Sequence, residues 1–460
     1  LDNALFEKSV TIPVSADNLH DWHMRPAAFD RLTPPWEKVR PVDDADEIKN
    51  GNRHVFRVKM GPLWRRWVAE FKFCKPKSEF TDVQVEGPFS SYQHRHRFVE
   101  KTKKSSLLVD SIEYKLPLGF LGKFFGDWLV RKKLDAAFRY RHRITMQDLA
   151  RESLAPKVTP MTILITGASG LVGRALIPFL RNAGHTILTL SRSPKEGDES
   201  ALTWDPDEGQ VNLSNSGTID AVVHLAGENI ASGRWTKKVK DRIYYSRKKG
   251  TRLLADALAK LSKPPKVLVS ASGINYYESS PLITHTEDGP PGTSFLSEVC
   301  RVWEGETWPA TDAGIRTVQL RIGVVLSAAG GALAKMKLPF QLGGGGPIGN
   351  GRQRMSWISI DDLVDIIHRA IVDEKMNGPV NAVAPQVVSN AEFGKTLGKV
   401  LNRPAILPMP AFVLRKLVGE LADEALLSDF AVAPQRLNEA GYTFRFTDLE
   451  DALRHLLGRA

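Results

Sequence analysis

At about 150 residues per domain, 460 residues give a prior of two or three domains, and a chain that is 42% hydrophobic and 25% charged excludes disordered, collagen-like and disulfide-scaffold classes. The net charge of +11 is uneven: residues 1–160 carry 29 Lys+Arg against 21 Asp+Glu, so most of the excess lies in the first third and two modules with different surfaces are expected. No run of eighteen apolar residues occurs (Leu118–Val130 is interrupted by Lys123 and Asp127), which excludes a spanning helix. Two distant cysteines, Cys74 and Cys300, and the lack of a signal-peptide pattern point to the cytoplasm.

In chain order, the first module is dominated by alternation. His54–Lys59, Trp67–Phe73, Thr81–Glu86 and Ser106–Tyr114 read as half-buried antiparallel strands, with Gly51, Gly61-Pro62 and Gly87-Pro88 supplying turns. A helical pattern follows from Gly119 to about Ala150, with apolar positions at Leu121, Phe124, Phe125, Trp128, Leu134 and Phe138. Together with the opening Phe6–Ser15 and a short helix around Asp17–Trp22, this α+β pattern over residues 3–150 resembles the helix-grip fold of the START-like, polyketide cyclase-type (SRPBCC) superfamily. The resemblance implies that residues 1–155 hold a hydrophobic ligand between sheet and helix. Trp64, Trp67, Phe71 and Phe73 would line that cavity, or else pack as ordinary core aromatics. The basic runs Arg131–Lys133 and Arg139–Arg143 read as a solvated helix face, because no nucleic-acid-binding motif accompanies them.

His94 and His96 alternate on one face of a strand with no carboxylate or thiol at ligand spacing. Neither H-E-x-x-H nor C-x-x-C occurs, so the two histidines read as structural and no metal is expected.

Pro156 and Pro160 end the helix, and Met161 opens a β-branched strand, so a fusion junction is placed there. The strand runs into Thr166-Gly167-Ala168-Ser169-Gly170-Leu171-Val172-Gly173 and then an amphipathic helix. In that context the three glycines allow a tight turn, a close approach to a pyrophosphate and tight helix packing, with amides at the helix start facing phosphate. The second strand, Thr186–Ser193, lacks the acid that would bind a ribose 2′-hydroxyl. Arg192, between Ser191 and Ser193, suits a 2′-phosphate instead, which makes NADP(H) the expected cofactor. Further strands, Asp220–Gly227, Lys266–Ser272 and Thr317–Leu326, complete an α/β doubly wound (Rossmann) parallel sheet, and residues 384–457 read as a small, mostly helical cap.

The stretches His224–Ala231, Ser246–Thr251, Phe295–Glu304, Ser356–Asp361 and Asn381–Pro385 make residues 161–460 resemble the epimerase family of extended short-chain dehydrogenases/reductases, of the NAD(P)-dependent sugar-nucleotide epimerase type. The resemblance implies that Gly167, Ser169, Gly170, Leu171, Val172 and Gly173 meet the pyrophosphate side. It also implies that Leu225, Ala226, Gly227 and Ser270 pass along the cofactor. Such enzymes pair a Ser with a downstream Tyr-x-x-x-Lys, whose Tyr moves the proton. Ser272 fits the first role, but Phe295 and Val299 stand where the Tyr and Lys belong, and neither moves a proton. Tyr276 and Tyr277, just after Ser272, with Glu298 and Cys300 nearby on the following helix, are either substitutes for the acid/base or structural residues, as buried Tyr and Cys usually are. Arg247 faces phosphate or substrate, or is a surface cation. The glycine cluster Gly343–Gly351 reads as a substrate loop or a flexible connector.

Two classes follow. One is an NADP(H)-dependent oxidoreductase or epimerase-like enzyme fused to a hydrophobic-ligand module; the other is an NADP(H)-binding sensor that has lost turnover with the Tyr and Lys. The partners expected are a small-molecule substrate and a hydrophobic ligand in the first module, with a homodimer as the compatible assembly and no nucleic acid.

Overall fold

A computed structural model describes residues 3–42, 47–117, 119–154, 159–194, 197–198 and 200–459, the side chains of 119–125 and 154 excepted. The chain divides into two compact units, Leu1–Val158 with His455–Ala460, and Thr159–Arg454. Among the described residues no helix is long and apolar enough to cross a membrane.

The first unit is mainly antiparallel sheet. Its elements are β1 (Ala4–Ile12), α1 (Ala16–His23), α2 (Ala28–Leu32), β2 (Val39–Pro41), β3 (Arg53–Met60), β4 (Leu63–Lys75), β5 (Glu79–Glu86), β6 (Ser91–Thr102), β7 (Ser105–Lys115) and α3 (Gly119–Leu154). The strands form one sheet in the order β1-β7-β6-β5-β4-β3-β2. Ser15 starts α1 by accepting a hydrogen bond from the Asn18 amide, one of the helix's unpartnered donors. The inner sheet face supplies Ile12, Phe71, Phe80, Phe98 and Leu108, which pack with Trp22 of α1 and Tyr140, Ile144 and Leu149 of α3.

Three sequence expectations change here. Phe73 is 64% exposed at φ +52, because a bulge between Lys72 and Lys75 breaks the alternation of β4. Trp128 is 68% exposed, so it is not a core position of α3, while Leu121, Phe124 and Phe125 fall outside the described side chains. A carboxylate does lie beside His94 and His96: strand pairing sets Asp82 of β5 opposite His94 and Asp110 of β7 opposite His96. Cross-strand neighbours are invisible to spacing along one strand.

The second unit holds β8 (Thr162–Thr166), α4 (Leu171–Asn182), β9 (Thr186–Ser191), β10 (Ala201–Asp205), β11 (Gln210–Val211), β12 (Ala221–His224), α5 (Lys237–Ala259), β13 (Val267–Gly273), β14 (Thr284–His285), α6 (Phe295–Gly305), α7 (Trp308–Asp312), β15 (Arg316–Ile322), β16 (Val324–Leu326), α8 (Gly331–Gln341), β17 (Arg354–Ser359), α9 (Ile360–Val372) and β18 (Gly378–Ala382). The main sheet runs β11-β10-β9-β8-β12-β13-β15-β18, parallel except for β11, and is Rossmann-like. Runs such as Ile163-Leu164-Ile165 and Ala221-Val222-Val223 are wholly buried, as expected of central parallel strands. The strand read as Thr317–Leu326 is two. A Cβ on Gly323 would stand 2.7 Å from the Ser356 carbonyl oxygen, and past it the chain leaves the main sheet to pair with β17.

Candidate functional site

The carboxyl ends of β8 and β12 lie side by side, and this places the glycine-rich turn. Gly167 reverses the chain at φ +70, where a Cβ would stand 2.7 Å from the Leu225 carbonyl carbon. Only glycine tolerates both demands. Gly170 caps α4, and its amide donates to the Gly167 oxygen at 2.9 Å. A Cβ on Gly173 would stand 2.5 Å from the Gly167 oxygen and 2.7 Å from the Ala168 Cα, so this glycine seats the helix on the turn rather than on the strand. The helical ladder starts at the Arg174 amide, leaving the amides of Leu171, Val172 and Gly173 without helical acceptors at the positive end of the helix dipole. Ser169, Gly170 and Gly227 are exposed, whereas Leu171, Val172, Leu225 and Ala226 are half-buried.

One hydroxyl locks the two turns together. Thr166 Oγ1 accepts from the Leu225 amide at 3.1 Å and the Ala226 amide at 3.2 Å, and lies 2.7 Å from His224 Nδ1. With two acceptances made, the hydroxyl donates to Nδ1, which fixes the imidazole proton on Nε2, 3.0 Å from Thr251 Oγ1 of α5. Burial, with Arg247 nearby, pushes the His224 pKa down to about 3, so the ring is neutral as this network requires. Ser270, opposite His224 in register, is fully buried, and among the described residues its hydroxyl meets the Ala271 carbonyl at 3.4 Å.

At the end of β9, Arg192 is exposed and makes no hydrogen bond or ion pair among the described residues. Its neighbour Ser191 turns inward locally, Oγ accepting from the Ser193 amide at 3.2 Å.

The proposed catalytic side chains converge on a buried network. Ser272 of β13 stands opposite Arg321 of β15, and its hydroxyl donates to Glu304 Oε1 of α6 at 2.7 Å. Arg321 grips the same carboxylate through Nε and Nη2, both at 2.9 Å, and sends Nη1 to the Tyr277 hydroxyl and the Glu287 carbonyl, both also at 2.9 Å. Tyr277 donates onward to Asn381 Oδ1 at 2.7 Å; it is 1% exposed, and burial pushes its phenol up to about 12. Tyr276 differs. It is half-buried, its ring lies 3.5 Å from the Arg321 guanidinium carbon, and its hydroxyl has no internal partner among the described residues.

Phe295 begins α6 against Trp235, with Lys240 Nζ 4.3 Å from its ring centre. Val299 is buried, and burial raises the Cys300 thiol to about 11, away from thiolate chemistry. Glu298 is paired with Arg301. Arg247 is no surface cation. It donates to the carbonyls of Glu228 and Ile243, lies over Trp303, and burial lowers its pKa. In the second glycine cluster a Cβ on Gly345 would stand 2.5 Å from the Phe340 ring and one on Gly346 2.1 Å from the Leu407 oxygen, so these two serve close approach, whereas Gly343 has open space around it. Glu304, Glu287 and Asn381 went unassigned in the sequence. No motif joins them to Ser272, and only the strand order does so.

The NAD dependent epimerase/dehydratase family matches residues 163–382, and a domain of unknown function, DUF1731, matches residues 409–456. The epimerase family protein Mb2239 of Mycobacterium bovis is 39% identical over 298 residues, covering 65% of this chain and 98% of that protein. A nucleoside-diphosphate sugar epimerase from Corynebacterium glutamicum, known from a crystal structure, is similar at a TM-score of 0.81 and 34% identity, with 98% of this chain and 90% of that one covered. The human epimerase family protein SDR39U1 (isoform 2), crystallised with NADPH, is similar at a TM-score of 0.60 and 38% identity, covering 64% of this chain and 99% of that one.

Proposed function

Because the chain belongs to the epimerase family of extended short-chain dehydrogenases/reductases, we propose that its second unit binds NADP(H) between the Gly167–Gly173 and Leu225–Gly227 turns and acts on a small molecule as an oxidoreductase or epimerase-like enzyme. The observation that carries this reading is the Gly167 cradle: a Cβ there would fill the space against Leu225, and bare helix amides face the same opening. Arg192, exposed and without a partner among the described residues, supports NADP(H) over NAD(H), as does the NADPH in the human relative's structure. The dinucleotide supplies hydride exchange, and this chain supplies the cradle, the 2′-phosphate contact and the proton. Tyr276 is the proton-handling group, since the hydroxyls of Ser272 and Tyr277 are held inside the network.

Binding of both cofactors, followed by fluorescence, tests the first part. NADPH should bind more tightly than NADH, and Arg192→Ala should narrow the difference by weakening NADPH alone; equal affinities in the wild type overturn the assignment. Oxidation of bound NADPH across a carbonyl panel, abolished by Tyr276→Phe, tests the second. A non-catalytic sensor is the second reading, favoured by Phe295 and Val299. Binding without oxidation by any carbonyl, unchanged in Tyr276→Phe, is its signature.

We read the first unit as a START-like helix-grip module, joined near Met161, that holds a hydrophobic ligand. Its cavity of about 430 Å³, lined by residues that include Phe29, Leu32, Phe56, Trp67, Phe71 and Leu134, supports this. Trp64 is not among the lining residues. Native mass spectrometry of the purified chain should reveal a co-purifying apolar molecule.

A further inference from the structure

We propose that Asp82, His94 and His96 form a binding site for one divalent transition-metal ion, zinc the best fit, at the polar end of the first unit's cavity. All three side chains line that cavity, which is otherwise largely apolar. His94 and His96 are at most 6% exposed at the side chain, and Asp82 is 18% exposed. Asp82 Oδ2 lies 3.3 Å from His94 Nδ1 and 3.7 Å from His96 Nε2, and one ligand atom from each residue falls within 4.8 Å of the other two.

The tautomers explain why this cluster calls for a cation. The far nitrogens of both rings turn to one carboxylate, Asp110: His94 Nε2 stands 3.0 Å from Oδ1, and His96 Nδ1 stands 2.9 Å from the same oxygen at an angle too poor for a full hydrogen bond. His142 Nε2 meets the other oxygen at 2.7 Å. Asp110 is 2% exposed, and with three ring nitrogens turned to its two oxygens it is the acceptor and the imidazoles donate. A neutral His94 or His96 that gives its proton to Asp110 then points a lone pair at the Asp82 carboxylate. Lone pairs converging on an anion repel, and the gap between them needs positive charge: either extra protons on the imidazoles or a metal ion.

Geometry favours the metal. At zinc–ligand distances of about 2.0–2.1 Å, neighbouring ligands of a tetrahedron are about 3.3 Å apart, close to the two separations seen. An octahedral site would bring neighbouring ligands to about 3 Å at similar bond lengths, a poorer match. Asp110 plays the part that orienting carboxylates play behind metal-bound histidines, and His142 steadies Asp110 in turn. A divalent ion also balances the buried carboxylate of Asp110 and the part-buried one of Asp82. With three protein ligands, the fourth position opens into the cavity, where a water or the polar end of a cavity ligand completes the shell. This proposal concerns the first unit and stands whether or not the second unit turns over NADP(H).

The test uses full-length protein without a histidine tag, stripped by chelator and titrated with Co²⁺ and Zn²⁺. One equivalent of Co²⁺ should bind with the visible absorption of a four-coordinate ion, Zn²⁺ should displace it, and Zn²⁺ should raise the melting temperature of the stripped protein. Asp82→Asn and His96→Gln should each abolish the Co²⁺ spectrum. His142→Gln, which removes a partner of Asp110 and none of the three ligands, should weaken binding by about 10–100-fold while keeping the spectrum. The wild-type titration decides even if a variant fails to fold. No Co²⁺ spectrum and no Zn²⁺-dependent shift in the wild type overturns the proposal and leaves an imidazolium–carboxylate cluster, as does undiminished binding in both ligand variants.

Discussion

Replacing Arg321 by Met should expose how much the network at the ends of β13 and β15 depends on one cation. The Arg321 side chain is 4% exposed and that of Glu304 13%, so the pair is largely out of water. Arg→Met keeps the apolar stem but strands the Glu304 carboxylate with, among the described residues, a single partner, the Ser272 hydroxyl. Removing one member of a buried pair costs about 3–5 kcal/mol, because the remaining charge is uncompensated. The Glu287 carbonyl and the Tyr277 hydroxyl lose a donor as well, so the upper half of that range is expected. Replacing both partners, Arg321→Met with Glu304→Leu, removes the stranded charge and should cost well below the sum of the single changes, with a coupling of about 2 kcal/mol or more. Hydrogen exchange at the amides of β13 and β15 reads this local stability, and urea denaturation reads the global value. A cost below about 1 kcal/mol for Arg321→Met, or additive single changes, would refute the reasoning, since the pair would then be solvated or replaceable.

Two further expectations follow from the crevice. Gly167→Ala forces a side chain into φ +70 and to 2.7 Å from the Leu225 backbone, and should lower the melting temperature and weaken NADPH binding by the protein that stays folded at least about tenfold, roughly 1.4 kcal/mol; unchanged affinity in a titration would show that the turn is not the cradle. His224 titrates near 3 when folded but near 6.5 when unfolded, so the unfolded chain takes up a proton first as pH falls; its contribution is complete above 6.5 and is lost toward pH 3, about 2 kcal/mol of it by pH 5, and His224→Gln should flatten the pH dependence of stability over that window by about one proton.

Much of the second unit was legible in sequence, because local chemistry carried the signal. The Gly167–Gly173 spacing needs only a strand before it and a helix after it. Arg192 sits a fixed distance along the next strand, and Phe295 and Val299 stand where the resemblance implies a Tyr and a Lys. Alternation in the first unit likewise gave the antiparallel strands, since one face is buried and the period is two. The break at Gly323 and the bulge before Lys75 were not legible, because both arise where a strand meets a particular neighbour.

The sequence by itself determined the glycine-rich turn, the apolar side chains at Phe295 and Val299 and the uneven spread of charge, all properties of residues close together in the chain. Only the tertiary structure decided what those residues do. It joined Ser272 to Glu304 and Arg321, 32 and 49 residues on, because parallel strands are linked by long crossovers that return distant segments to one edge of the sheet. It set Asp82 and Asp110 on either side of the His94–His96 strand, because antiparallel register pairs residues by their distance from a turn and not by their spacing in sequence. In both places the chemistry belongs to side chains that meet across strands, and the register that brings them together is fixed by burial of the whole sheet face.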